Sequence, residues 1–258
     1  MKIYIHTDLE GISGIDSVDM VDRSNPLYMQ STERLMADVN AAVDGAFAAG
    51  ATFVTVLDSH DYGGNFILPM LDSRADVDVR ENKKWWGKLD ETYSGTFIVG
   101  AHAMAGTQNG FLDHTQSPES WFNYWINGRK MGEMSQWATV CGHFKVPLLM
   151  VSGDEAACAE ARRFFNPIEC AVVKRGLGRN AAELIEPAQA VERIRDAAHG
   201  ALSLVGKSKP FVPNLPMEVK LQLSRSDYCD DIANRQDVER LDARTVRKVT
   251  NSYLDLLF

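Results

Sequence analysis

The chain has 258 residues, 45% hydrophobic and 24% charged, with a formal net charge of −8; this is the composition of a globular protein with a sizeable core and not of a disordered one. The acidic balance, with no basic patch, argues against nucleic acid or an anionic membrane as partner, and no apolar run approaches the ~18 residues that span a bilayer. Cys141, Cys158, Cys170 and Cys229 are widely spaced without a C-x-x-C. They form neither a disulfide framework nor a thiolate zinc site, and fit free thiols in a reducing cytoplasm. With the first strand starting at Lys2, no secretory signal is expected.

Lys2-Ile3-Tyr4-Ile5-His6-Thr7 reads as a strand, ended by the glycines at 11 and 14. It runs directly into Asp8-Leu9-Glu10. Residues two apart in extended chain face the same way, so Asp8 and Glu10 aim at one point. A cation there would offset their repulsion, although a solvated acidic turn accounts for the pair taken alone. From Tyr28 to Ala49, Met29, Leu35, Met36, Val39, Val43 and Phe47 recur at helical spacing, after Asn25-Pro26 and before Gly50. Thr52 to Leu57 is the next strand and ends in Asp58-Ser59-His60. Strand, helix and apolar strand make a βαβ unit with parallel strands in a covered sheet. Both strands then deliver their carboxyl ends to one edge, which brings His60 beside Asp8 and Glu10.

Asp76 to Arg80 alternates like an edge strand, and Trp85 and Trp86 read as packing aromatics. Thr96 to Val99 is a buried strand closed by Gly100-Ala101-His102-Ala103. A glycine-bearing loop leads on to Asp113-His114-Thr115. Trp121 to Ile126 is a strand turning at Asn127-Gly128, and Gly132-Glu133 opens a helix through Cys141, with Glu133 in the turn that favours an acid. Pro147 to Asp154 is a strand, with Asp154 capping a helix from Glu155 to Phe165, and Ile168 to Lys174 is another. A helix follows from Ala188 to Val205. Pro210, Pro213 and Pro216 mark a joint near 206–216, followed by an alternating strand, Val219 to Leu223, and a charged helical end. The fold class is α/β: a mostly parallel covered sheet of Rossmann-like type, with a second, smaller α/β subdomain.

Asp8, Glu10, His60, His102 and Glu133, with His114 nearby in sequence, offer oxygen and imidazole donors and no thiolate, the set that zinc or manganese takes in hydrolytic sites. Asp8 can bridge two cations, with Glu10 and His60 completing one sphere and His102 and Glu133 the other. Cations ~3.5–4 Å apart activate a shared water and polarise a carbonyl, which suits amide hydrolysis. Each residue also has a plainer reading: core or capping histidines, a helix-dipole acid at Glu133, a solvated loop histidine at His114, and a supporting rather than ligating His6. His143 and His199 read as structural or exposed.

Asp8-Leu9-Glu10-Gly11-Ile12-Ser13-Gly14, Asp58-Ser59-His60, Gly100-x-His102-Ala103, His114, Gly132-Glu133, Val146 to Asp154 and Val173-Lys174 together resemble the D-aminopeptidase family of dinuclear zinc peptidases, in order, from Met1 to about Arg179. The resemblance implies that Asp8, Glu10, His60, His102 and Glu133 bind two Zn2+ per subunit, with Asp8 bridging, and that His114 is the catalytic histidine. It also implies a two-part α/β subunit in a large homo-oligomeric ring, for instance a decamer, with its sites facing an internal channel. The expectation is a cytoplasmic zinc aminopeptidase acting on short peptides, D-residue-containing ones among the options. The alternatives are another dinuclear hydrolase, an amidase or phosphoesterase, and a non-enzymatic peptide-binding protein.

Overall fold

The computed structural model describes residues 1–80 and 83–258. In chain order they form β1 (Lys2–Thr7), α1 (Tyr28–Ala48), β2 (Phe53–Asp58), β3 (Asp76–Asp78), β4 (Gly95–Ala101), β5 (Trp121–Ile126), β6 (Arg129–Met131), α2 (Glu133–His143), β7 (Leu148–Asp154) and α3 (Glu155–Phe164). There follow β8 (Glu169–Gly178), β9 (Ala181–Leu184), α4 (Pro187–Ala201), β10 (Met217–Leu223), α5 (Ser226–Ala233), β11 (Glu239–Arg240) and β12 (Thr245–Thr250). Two sheets result. The larger has the order β3-β2-β1-β4-β7-β8-β9, parallel throughout except for β9, which runs antiparallel to β8.

The two-residue period of β1 divides the interior. Ile3 and Ile5 enter the core layer shared with α1 and α4, while Tyr4 enters the layer on the other face with Trp137 and Ala138 of α2 and Ala157 and Ala161 of α3. Helices therefore cover both faces of a sheet whose parallel strands are buried hydrophobic runs. The chain winds outward in one direction through β2 and β3 and in the other through β7 and β8. The reversal of direction, where doubly wound sheets open a crevice at the strands' carboxyl ends, falls between β1 and β4.

The second sheet is antiparallel, in the order β11-β12-β10-β5-β6. Its strands come from both sides of the proline-bearing stretch 206–216. Trp85 and Trp86 pack where its core adjoins that of the main sheet. Three details depart from the sequence reading. The charged C-terminal segment is helical only over α5 and then pairs as β11 and β12; Val246 is fully buried there, and the buried Lys248 is paired with Asp255, so its charge does not mark a solvated helix. The helix expected to reach Val205 ends at Ala201 and continues as a 3-10 turn, Leu202–Leu204. The short strand β9 has no counterpart in the sequence reading. Among the described residues no helix is long and apolar enough to cross a membrane.

Close approach of β1 and β4 depends on two glycines. Asp8 N donates to Val99 O and Gly11 N to Gly100 O, both at 2.8 Å. A Cβ on Gly11 would lie 1.9 Å from Ala101 O, and one on Gly100, whose φ is +87°, would lie 2.2 Å from Asp8 O. Gly128, at φ +76°, faces open space. Gly100→Ala is therefore expected to cost about 3 kcal/mol or more, from backbone strain plus collision, and Gly128→Ala about 1 kcal/mol from strain alone. Denaturant unfolding of the two variants checks this, and equal losses would contradict it.

Candidate metal centre

Register brings the site together. Thr7, the last residue of β1, pairs with Asp58 of β2 on one side and Val99 of β4 on the other. Asp8 and Glu10 thus leave the sheet edge beside His60, two residues past β2, and His102, one residue past β4. Glu133 reaches the same point from the first turn of α2, whose N-cap is Gly132; a Cβ there would meet Met104 Cβ at 2.6 Å. His114 arrives on the long connection from β4 to β5.

The six side chains meet as two groups, each placing its donor atoms within 4.8 Å of one another: Asp8, Glu10 and His60 in one, and His102, His114 and Glu133 in the other. His60 Nδ1 lies 3.1 Å from both Asp8 Oδ1 and Glu10 Oε2. His102 Nε2 lies 3.3 Å from Asp8 Oδ2 and 3.4 Å from Glu133 Oε1. The two oxygens of Asp8 therefore face different histidines. His114 Nε2 is 3.6 Å from Glu133 Oε1 and 4.0 Å from Glu10 Oε1, and its ring stacks on that of His102 at 3.9 Å between centroids. Of the remaining histidines, His6 packs on Trp137 with ring centroids 4.3 Å apart and the planes tilted by 31°, while His143 and His199 are exposed.

The ring orientations are set by the backbone. His102 Nδ1 is 3.0 Å from Ala103 O and His114 Nδ1 is 2.8 Å from Leu112 O. With Nδ1 held at a carbonyl, each ring presents Nε2 to the site, the orientation that metal-binding histidines take. His60 sits on a turn clasped by Asp58, which accepts from Asn65 N and Nδ2, both at 2.6 Å, and from Phe66 N at 3.1 Å. Asn65 Nδ2 also donates to His60 O at 2.8 Å. Glu133 Oε1 accepts from Gln116 N at 2.6 Å, which ties the His114 loop to α2.

Three carboxylates this close and this buried require positive charge. Burial and Glu10 push Asp8 upward, but His102 and His60 outweigh them and hold it below its ordinary value. Burial opposes ionisation of Glu10 and Glu133 too, yet His60, His114 and His102 hold Glu10 well below the carboxylate range, and His102 and His114 hold Glu133 down. Conversely, burial disfavours a charged His60, but Glu10 and Asp8 push it up to about 11. His6 has no such partner close enough: burial takes it down to about 4 despite Asp8 and Glu133. Glu10 Oε2 and His102 Nε2 are buried, and although His60 Nδ1 and Asp8 Oδ2 lie 3.1 and 3.3 Å from them, neither contact has hydrogen-bond geometry; a cavity of about 20 Å³ opens beside His102, lined also by His6, Asp8, Glu133, Met134 and Trp137. Buried donor atoms left without hydrogen bonds, among carboxylates and imidazoles, fit a cation. A larger hollow of about 300 Å³ near α1 and α4, lined by Ala48, Arg195 and His199 among others, contains none of these groups.

The sequence reading gave no role to two further charged residues, Glu160 and Lys174, the second of which entered only as part of the Val173-Lys174 match. Glu160 of α3 is buried, accepts from Met104 N at 2.8 Å through Oε2, and has Oε1 unpartnered. Its signal was an acid among the apolar positions Ala157, Cys158 and Ala161 of an amphipathic helix. Lys174 of β8 is fully buried, and a lysine inside an apolar parallel strand was the clue there. Burial pushes it down to about 7, against the pull of Asp154, Asp38 and Glu10.

Burial raises Glu160 to about 7 from 4.5. The unfolded chain then ionises at lower pH than the native one, so the native state binds more protons between these values and loses stability as pH rises through them. From pH 5 to 8 the wild type should lose about 2–3 kcal/mol more than Glu160→Gln. Denaturant unfolding at the two pH values decides it; parallel losses in both proteins would contradict the assignment.

Known proteins resemble this chain along most of its length. The sequence profile of the D-aminopeptidase family matches residues 1–257. The D-aminopeptidase of Bacillus subtilis (strain 168) is 33% identical over 216 residues, which is 83% of this chain and 78% of that protein. The solved structure of the Zn-dependent D-aminopeptidase DppA from Bacillus subtilis, described as a self-compartmentalizing protease, superposes with a TM-score of 0.94 at 28% identity, covering 99% of this chain and 94% of that one. With side chains of metal-ligating type gathered at the switch point of a doubly wound sheet, and with one family profile matching residues 1–257, the chain belongs to the D-aminopeptidase family.

Proposed function

We propose that this chain is a zinc-dependent aminopeptidase that hydrolyses short peptides, D-amino-acid-containing ones included. Asp8, Glu10 and His60 hold one of two zinc ions per subunit, Asp8, His102 and Glu133 hold the other, and His114 is the catalytic histidine. The observation that carries this reading is Asp8, whose Oδ1 faces His60 and whose Oδ2 faces His102, the posture of a bridging carboxylate. When bound, such a pair polarises the scissile carbonyl and lowers the pKa of water toward about 7.

The protein's own groups divide the remaining work. His102 and His60 orient the two ends of Asp8. Glu133, already bonded to Gln116 N, fixes the His114 loop against the ligands. His114 has committed Nδ1 to Leu112 O, so a proton can pass to or from a substrate only at Nε2, which faces the same space as Glu10 and Glu133. Amide chemistry is favoured over phosphoester chemistry. Lys174, the lysine buried beneath the turn that carries Asp8 and Glu10, spends all three ammonium protons on backbone carbonyls and has none left to hold a phosphate.

A second role for His114 has a specific observation behind it: its Nε2 belongs to the same donor group as His102 and Glu133, within reach of a ligand position. We read the chain as one unit, with its second subdomain joined through 206–216, that assembles into a homo-oligomeric ring. The name of the DppA relative as a self-compartmentalizing protease supports assembly. The cytoplasm is the expected compartment, in keeping with four unpaired cysteines.

His114→Ala separates the two roles. As a catalytic histidine its loss should lower turnover of alanyl dipeptides about 10²–10⁴-fold or more while zinc content stays unchanged; loss of one zinc would make it a ligand instead. Paired D- and L-alanyl dipeptides test the substrate, with faster cleavage of the D-form expected. L-only cleavage would keep the site and discard the D-peptide role.

A further inference from the structure

The turn that carries Asp8 and Glu10 is irregular backbone in a buried place, and its carbonyls need donors. Lys174 reaches it from β8, 164 residues away in sequence. Its Nζ donates to Glu10 O at 2.5 Å, Ile12 O at 2.9 Å and Ile15 O at 3.1 Å. Three acceptors use all three protons of an ammonium group. The same nitrogen lies 4.3 Å from the centroid of the Phe111 ring, and Phe111 N donates to Asp154 Oδ2 at 2.9 Å. Phe111 stands three residues before His114. From the opposite side, Asp38 of α1 accepts from Ser13 N at 2.7 Å and Ser13 Oγ at 2.6 Å.

We propose that Lys174 is a positioning residue: one buried ammonium group ties the turn bearing Asp8 and Glu10 to the loop bearing His114, and so sets the distance between the ligands and the catalytic histidine. The proposal rests on the reading of Asp8 and Glu10 as zinc ligands. A lysine that served stability alone would need no such connection. Lys248 supplies the contrast: it too is buried, and its Nζ donates to Asp255 Oδ1 at 2.6 Å and Leu257 O at 2.7 Å, but it lies in β12 of the second sheet and bonds none of the site's loops.

The test compares Lys174→Met with Lys248→Met in the full chain, by zinc affinity in chelator competition and by hydrogen exchange of segment 8–16, well below both melting temperatures. For Lys174→Met the expected result is zinc affinity weaker by about 10–100-fold, the range for lost outer-layer support of a metal site, with faster exchange in 8–16. Lys248→Met should lower the melting temperature and leave both readouts within about twofold of wild type. Lys174→Gln, which keeps two donors, should fall between, and it replaces Lys174→Met if that chain does not fold. Unchanged zinc affinity and exchange in the Lys174 variants, or equal weakening by Lys248→Met, would overturn the proposal. A wild-type chain that binds no zinc would sink the metal reading instead, and exchange in 8–16 would still decide whether Lys174 holds the turn.

Discussion

Repulsion among Asp8, Glu10 and Glu133 is the constraint on which the rest of the structure depends. Three carboxylates converge at the edge of a covered sheet, and partial burial together with their mutual repulsion would favour protons on them. Imidazoles at His60, His102 and His114 offset part of that charge, but Glu10 Oε2 and His102 Nε2 remain without hydrogen-bond partners. A native protein keeps such atoms only where something else satisfies them. The doubly wound sheet supplies the location, because its switch point is where three strand ends open onto one crevice without a helix crossing it.

Around this cluster the structure is rigid where side chains must hold their aim. Asp58 and Asn65 fix the His60 turn, carbonyls at Ala103 and Leu112 fix two ring orientations, and Gln116 N anchors Glu133. Most of these supports come from backbone groups of neighbouring loops, so the site's geometry is set by the paths of three connections. The glycines at 11 and 100 belong to the same logic: they let β1 and β4 approach closely enough for Asp8 to meet His102.

Local patterns made much of this legible from residues alone. Ile3, Ile5 and the run from Val54 to Leu57 announced parallel buried strands, and a carboxylate or histidine just past each strand end followed from the shared edge. Glu133 announced itself by its helix position. What stayed hidden was long-range. Nothing near Lys174 in sequence indicates the carbonyls at 10, 12 and 15, and Glu160 looks like one more helix acid until Met104 is placed beside it. The C-terminal strands were masked by charge: Thr245 to Thr250 carries Arg247 and Lys248, and only pairing with β10 and the partner at Asp255 makes a strand of it. Strand pairing between distant segments leaves a weaker local trace than helical periodicity.

The central claim is that Asp8 joins two metal sites into one. Equilibrium dialysis against zinc with wild type, His60→Ala and Asp8→Ala tests it most directly. The account predicts about two, one and no tightly held zinc ions per chain respectively, since removal of a bridging carboxylate weakens both sites and removal of a terminal ligand weakens one. A single zinc in the wild type, or two retained by Asp8→Ala, would contradict it.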